Sequence, residues 1–505
     1  MTSCRSLTTT TALATLMMAQ SAMADVTPTE VWADFKGYME GYGYAVSATE
    51  ADSGDTLTVT DITMTVPLPE EEGTMTMTMS EMVFTADGGA VDVSWPAEMP
   101  VGLKIEADGE AVDIGLLYKS DGHQMTVSGD PNAMQWDFSA ASIAVALDGI
   151  TVEGETLGPD VARGEVMLAD VASTTSMATS DMRNFEQSMT IGTLSYDIAA
   201  QDPDNAESNL LMKGSMAGVN YGGSGALPME FDAEDPAAIF RGGFAINGTF
   251  GFDSGDSQFN FVDRSEAFSY QSSSDGGEGA VTMDATVWGY DYLLRNLDLQ
   301  VAGSEIPFPV ALKAAEFGGA MLFPVGKTEE AQDVALGLNL TDFQMNDMIW
   351  QIFDPGAQLP RDPATITLDL TGKAKMLFDL FDPEQAEMMA DADMPAEIYE
   401  VTLNSLMVKA VGAMLTGNGA FTFDNSDLET FGGVPKPTGE INAELTGANA
   451  LIDKLIAMGL LPEEEAMGFR MMMSMFAVPA GDDVLTSKIE INEQGHVLAN
   501  GQRIQ

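Results

Sequence analysis

The stretch "GTMTMTMSEMVF" at residues 73–84 alternates methionine with threonine. Period-two alternation predicts a strand, because successive side chains leave opposite faces of the pleat. Met75, Met77 and Met79 then share an apolar face, and Thr74, Thr76, Thr78 and Ser80 a wet one. At Glu81 the phase breaks: Glu81 falls on the methionine face, while Met82 and Phe84 fall on the threonine face, which predicts a bulge or a twist out of the sheet. Alternating runs recur from about residue 45 to 325, among them "TLTVTDITMTV" (56–66), "VDVSW" (91–95), "ASIAVALDGITVEG" (141–154), "SMTIGTLSYDI" (188–198), "GGFAINGTFGF" (242–252) and "YLLRNLDLQVAG" (292–303). Glycine-rich pairs between such runs suit hairpins, and few crossover helices are visible, so the pattern predicts a large antiparallel meander. "QSSSDGGEGAV" (271–281) reads as a flexible loop tip.

Helical periodicity marks both ends of the chain. In "TPTEVWADFKGYMEGYGY" Thr27 and Glu30 form a capping-box pattern, Pro28 suits the first turn, Val31, Trp32, Phe35 and Tyr38 or Met39 mark one face, and Gly41 and Gly43 end the helix. In the last third a strand reaches a threonine and a helix begins in "LGLNLTDFQMNDMIWQIF" (336–353), "ITLDLTGKAKMLFDLF" (366–381) and "INAELTGANALIDKLIAMGLL" (441–461). The latter two align without gaps, Leu370-Thr371-Gly372 on Leu445-Thr446-Gly447, a weak repeat within one fold. "GLLPEEEAMGFRMMMSMFAVP" (459–479) predicts a further helix with Met467, Met471 and Met475 on one face, Met472 and Phe476 beside them, and core packing as the default. The ending predicts a hairpin around Gln494-Gly495 with His496 at its turn.

The fold class expected is therefore mainly β: a large twisted antiparallel sheet, or a β-sandwich or groove, with a few short amphipathic helices mostly in the C-terminal third. The organisation expected is a signal peptide at 1–24, an antiparallel region at 25–325 and a region of strand–helix units at 326–505, forming one continuous architecture. Residues 1–24 carry the signal: Arg5 is a basic n-region, Leu7 to Ala19 an uncharged apolar stretch, and Ala22-Met23-Ala24 a small-x-small cleavage site. This predicts a protein exported to the periplasm of a Gram-negative cell. No later stretch approaches the roughly 20 apolar residues of a transmembrane helix. Cys4 is the single cysteine and leaves with the signal, so no disulfide or thiolate chemistry is expected.

Charge narrows the partners. With 78 acidic and 21 basic residues and a net charge of −57, the chain cannot neutralise phosphates, which excludes nucleic acid. Anionic membrane surfaces repel it too, and adaptation to a salty medium is the plain reading of the acidity. No nucleophile elbow, Walker loop, zinc-binding helix or dinucleotide fingerprint occurs, so no catalytic residue, cofactor or metal ligand is assigned. The candidate ligand-binding residues are methionines, which repack around flexible apolar ligands: Met75, Met77 and Met79, then Met471, Met472, Met475 and Phe476. Arg361, in "FDPGAQLPRDPATITLDL" (353–370), stands out in a chain short of cations; it is placed to bind a ligand anion or to pair with neighbouring carboxylates.

The segments "WQIFDPGAQLPRDPATITLDLTGKAK" (350–375), "PTGEINAELTGANALIDKLIAMGLLP" (437–462) and "SKIEINEQGHVLANGQRI" (487–504), with the opening "EVWADFKGYM", resemble a family of alphaproteobacterial secreted proteins catalogued only as a domain of unknown function. The strand–helix–hairpin layout is more distantly similar to the large envelope β-sheet proteins of the AsmA group. That likeness implies a curved β groove that carries or buffers lipid; the cleavable signal, in place of an N-terminal anchor, departs from it. The function expected is a non-enzymatic periplasmic protein holding lipid or another apolar ligand. The alternatives are an outer-membrane β-barrel, for which the terminal aromatic is missing, and an acidic carbohydrate- or calcium-binding extracellular protein.

Overall fold

A computed structural model describes residues 25–505 apart from 69–72, 108–109, 153, 204, 231–234, 236, 265, 391 and 393; the predicted signal peptide lies outside the described residues. Among the described residues, 27 strands belong to one antiparallel sheet, accompanied by six helices. The chain is largely a meander from Ala45–Asp52 to the short Gln502–Arg503 strand, departing from sequence order where two short strands share one course, as Ala90–Ser94 and Glu98–Ala107 both pair with Gly73–Asp87. At the usual spacing of about 4.8 Å per strand the ladder runs roughly 90 Å along its hydrogen-bonding direction. Pairing continues across residue 325, since Val310–Pro324 pairs with Gln332–Met345. Among the described residues no pairing joins the first strand to the last, so the sheet is open rather than closed into a barrel.

A crease crosses this sheet. Between the pairs Thr60↔Glu81 and Ile62↔Met79 one position is skipped, and there Asp61 takes φ 52°. The same skip recurs at Asp170 (φ 52°) opposite Gly192, and at Asn296 (φ 49°) opposite Ala315. Asp342 (φ 51°) continues it. Asp and Asn tolerate the left-handed region better than other side-chain-bearing residues. Each skip inverts the face on which the strand presents its apolar positions. Leu57 and Val59 precede Asp61 at odd numbers, Ile62 and Met64 follow at even ones, and all four are buried. The predicted phase break at Glu81 is thus real, but the left-handed residue is on the neighbour, at Asp61, where the register with Ala45–Asp52 also shifts between Ser47 and Thr49.

The crease also explains a misread loop. Residues 271–281 are not a tip: Glu266–Ser274 and Gly277–Asp284 form one strand course interrupted at the crease by Asp275-Gly276. Many glycines likewise lie inside strands. A Cβ on Gly214 would come 2.6 Å from the Tyr196 hydroxyl, and one on Gly279 2.4 Å from Phe250 Cζ, so aromatic rings lie across these glycines.

The first helix, Pro28–Gly41, forms as predicted, with the reciprocal capping box between Thr27 and Glu30. It buries Val31 and Trp32 against Leu57, Val59, Phe84, Val91, Val93, Val127 and Met134, the main core. Trp32 Nε1 donates to Glu50 at 2.8 Å, and Arg183 pairs with Asp34 at 2.9 Å beneath the Tyr38 ring. The helix therefore closes one side of the crease at the start of the sheet. Farther along, Phe240 of the Ala238–Arg241 helix stacks on Phe381 at 4.2 Å, and both lie against Trp288.

In the first of the predicted strand–helix units Gln332–Met345 runs past Thr341 before Asp347–Phe353 begins, and the third, Lys436–Thr446 into Ala448–Ala457, forms at its threonine. The second does not. The strand Ala364–Met376 runs straight through Thr371-Gly372, and the helix waits until Pro383–Ala390. Gly372 faces the Glu400 carbonyl in the ladder, Lys373 pairs with Asp333, and Ala374 is buried, a period-two environment. Gly447 instead takes φ 75° and Asp483 caps the helix that follows. The C-terminal hairpin forms as expected, with Gly495 at φ 78° in the turn and the His496 N–H donating to Asn492 Oδ1 at 3.0 Å.

Candidate apolar ligand-binding face

Cross-strand partners share a face of the sheet, so the register shows which residues form continuous rows. One row runs Ile62, Met79, Val101, Leu116, Leu147 across five strand courses. It passes by contact to Gly164 and continues through Ile198, Met212, Phe259, Tyr270, Val301 and Val310. On the other side of the crease a second row runs Val281, Tyr290, Met321, Leu336, Leu370, Leu403, Gly419, Ile441, Ile489. Both rows are apolar from strand to strand. The alternate positions carry charge, as in the paired Lys104 and Asp113.

This face is covered at its start by the first helix, near Trp288 by Phe240 and Phe381, and over Leu415, Leu445 and Leu485 by the Glu463–Phe476 helix, and large side chains are left open between these covers. Large apolar side chains are exposed along it: Met212 36%, Phe261 36%, Phe268 40%, Tyr290 44%, Met321 50%, Leu336 50% and Leu338 44%. Soluble monomers rarely expose contiguous apolar surface beyond a few hundred Å².

The predicted methionines divide. Met75, Met77 and Met79 lie on this face, half-buried; Met77 pairs with Met64 and Leu103, and Met79 packs against the main core. The helix Glu463–Phe476 forms as predicted, but the expectation of core packing for its methionine stripe fails: Met467, Met471 and Met475 are 66%, 63% and 60% exposed. The helix rests on the sheet through its opposite side, where Ala466 is buried. There Met472, Met473 and Phe476 roof a cavity of about 250 Å³ floored by Leu415, Leu445 and Leu485, which are cross-strand partners on the last strands. The two methionine clusters are not brought together by any contact described here.

Arg361 is occupied. It pairs with Asp347 and stacks over Trp350, its guanidinium carbon 5.5 Å from the ring centroid. Neighbouring Asp354 is fully buried and accepts from the Gln358 and Leu359 N–H groups at 2.8 and 2.9 Å. Burial pushes its carboxyl up, but those two bonds and the Arg361 charge outweigh burial and hold it below the ordinary carboxylate value. Of the histidines, His123 stacks on Trp95 at 4.7 Å and bonds Ser120 at 2.7 Å, a packed position. Among the described residues no three His, Cys, Asp or Glu side chains gather as a metal-holding group, and no helix is long and apolar enough to cross a membrane.

Sequence reading found Met75, Met77 and Met79 on this face but missed the exposed Phe261, Phe268, Met321 and Leu336. Their signal is weak locally and appears only when strands are set in register. No protein family, curated protein or solved structure matches the chain.

Proposed function

We propose that this protein holds acyl chains of lipid on the open part of the apolar face, as a non-enzymatic carrier or buffer in the cell envelope. The observation that supports this reading is the pair of apolar rows in register, with side chains such as Phe268, Met321 and Leu336 left 40–50% exposed. A protein core would bury them; a surface awaiting an apolar, shape-adapting ligand leaves them free. Periplasmic placement rests on the predicted signal peptide. The likeness to the secreted family and to the AsmA group stands as part of the proposal; the AsmA likeness implies a curved β groove that carries or buffers lipid.

The test is native mass spectrometry with lipid extraction on protein purified from periplasm without detergent. Co-purifying phospholipid or fatty acid is expected. Methionine-to-aspartate changes at Met75, Met77 and Met79 reduce it if the half-buried start of the face takes part. A clean apo mass with no uptake of added lipid overturns the reading.

A further inference from the structure

The apolar face carries a bonded group of hydroxyls. The Tyr196 hydroxyl lies 3.0 Å from Ser257 Oγ, which lies 2.8 Å from the Tyr270 hydroxyl. All three belong to the apolar side by register: Tyr196 is paired with Val166 and Gly214, Gly214 with Ser257, and Tyr270 with Phe259 and Val301. Gly214 has no side chain, and only so can the Tyr196 ring cross that strand to reach Ser257.

Three hydroxyls joined by two hydrogen bonds use two of their three protons. The third is left to be donated outside the group, and among the described residues the three have no other hydrogen-bond partner. All three residues are half-buried. Few, well-placed polar groups in an apolar site are what fix a ligand's orientation.

From this we infer that Tyr196, Ser257 and Tyr270 form a subsite for the carbonyl of an uncharged ester-linked acyl ligand, which anchors its polar end midway along the face. The inference rests on the acyl-binding reading above. Charge selects the neutral ester over a free carboxylate. The nearest cations, Arg163 and Lys213, both pair with Asp197 at 3.5 and 3.6 Å. Asp197 adjoins Tyr196 in the strand and so points to the opposite face. Among the described strand residues next to the three hydroxyls, no Lys or Arg lies on the apolar side to neutralise a carboxylate.

The experiment loads the detergent-free full chain with an equimolar mixture of methyl oleate, oleate and 1-octadecene, then extracts and quantifies what is retained. The ester is expected to exceed the hydrocarbon about fivefold, the advantage one neutral hydrogen bond supplies. In a Tyr196→Phe/Ser257→Ala/Tyr270→Phe variant that ratio falls to about one while total uptake stays. The single Tyr270→Phe variant, which keeps the ring, gives an intermediate ratio and guards against misfolding of the triple change. An unchanged ratio in the variants, or preferential retention of oleate by the wild type, overturns the subsite but leaves acyl binding standing. No uptake of any of the three compounds overturns both.

Discussion

Asp61→Val should cost more stability than Asp61→Gly. The residue is in the left-handed region at φ 52° and shifts the strand's apolar phase, so that Leu57 and Val59 share a face with Ile62 and Met64. An extended residue there, which valine favours, turns the segment before it over: Leu57 and Val59, now 1% and 0% exposed, go to the wet face, and Thr58 and Thr60 come in. Fully burying a Leu or Val is worth about 1.5–3 kcal/mol, so the two together lose roughly 3–6 kcal/mol. Threonine hydroxyls brought against the core without partners add about 1–3 kcal/mol each. That sum exceeds the roughly 1–2 kcal/mol that a β-branched residue pays to stay left-handed, so Asp61→Val is expected to keep the fold and lose about 1–2 kcal/mol of stability. Asp61→Gly keeps the residue count and suits the backbone, its relief of strain being offset by greater freedom in the unfolded chain, a net change within about 1 kcal/mol. Urea unfolding followed by tryptophan fluorescence reads both, since Trp32 sits in the same cluster. An Asp61→Val variant that unfolds at the wild-type midpoint would refute the role given to the crease.

Other consequences are local. Leu338→Asp, at a position already 44% exposed, should cost only about 1 kcal/mol of folding, half of a full burial, while lowering acyl uptake roughly 30-fold, the worth of two or three methylene contacts; a loss of stability matching that of Val59→Asp in parallel melts would make this face core. Asp483 accepts the Asn449 and Ala450 N–H groups at 3.1 and 3.0 Å, so Asp483→Ala should loosen the Ala448–Ala457 helix by about 1 kcal/mol. Asp483→Asn, which keeps an acceptor and tolerates the φ of 49°, should cost much less; equal loss of amide protection in the two variants would contradict the cap. Asp354 has a folded pKa below its unfolded one, so its contribution is present above the ordinary carboxylate range and is lost as pH falls through the folded value. Amide exchange at Gln358 and Leu359 should accelerate on acidification, and Asp354→Asn should remove that dependence; protection that rises in acid would reverse the sign argued here.

The parts of the fold legible in sequence were those fixed by neighbours in the chain. The capping box at Thr27 and Glu30, the period-two runs and the helix opened by Pro462 and three glutamates all formed. What failed depended on distant partners. Leu370-Thr371-Gly372 and Leu445-Thr446-Gly447 are the same tripeptide, yet a ladder bond site at Glu400 keeps one extended and Asp483 starts a helix at the other. Both deciding residues lie more than twenty positions away. The glycines of 271–281 looked like a tip because a single left-handed step at the crease uses the same residues as a turn. The phase inversion was visible at Glu81 and also stands in "VMLADVASTT" and "LLRNLDLQV", where Asp170 and Asn296 separate apolar positions of opposite parity. Read together, those breaks are the crease. The hydroxyl group could not be found this way, since Tyr196, Ser257 and Tyr270 meet only through register across four strand courses.

The acidity takes on a structural meaning beside this architecture. An open sheet with one apolar face invites two kinds of self-association, face to face and edge to edge. The edges are blunted: the strand Ala45–Asp52 ends in acidic residues, with Glu50 held by Trp32, and the far edge is broken into Val478–Gly481, Val497–Ala499 and Gln502–Arg503. The face cannot be blunted without losing the surface that the proposed ligand needs. Repulsion can protect it instead, because 78 acidic side chains against 21 basic ones set every copy against every other wherever the wet faces approach within a screening length. A neutral or zwitterionic lipid carries no net charge into that field and is not turned away. Net charge and apolar register then act on the same problem from opposite sides of one sheet: the register makes a surface that binds acyl chains, and the charge keeps that surface from binding another copy of itself.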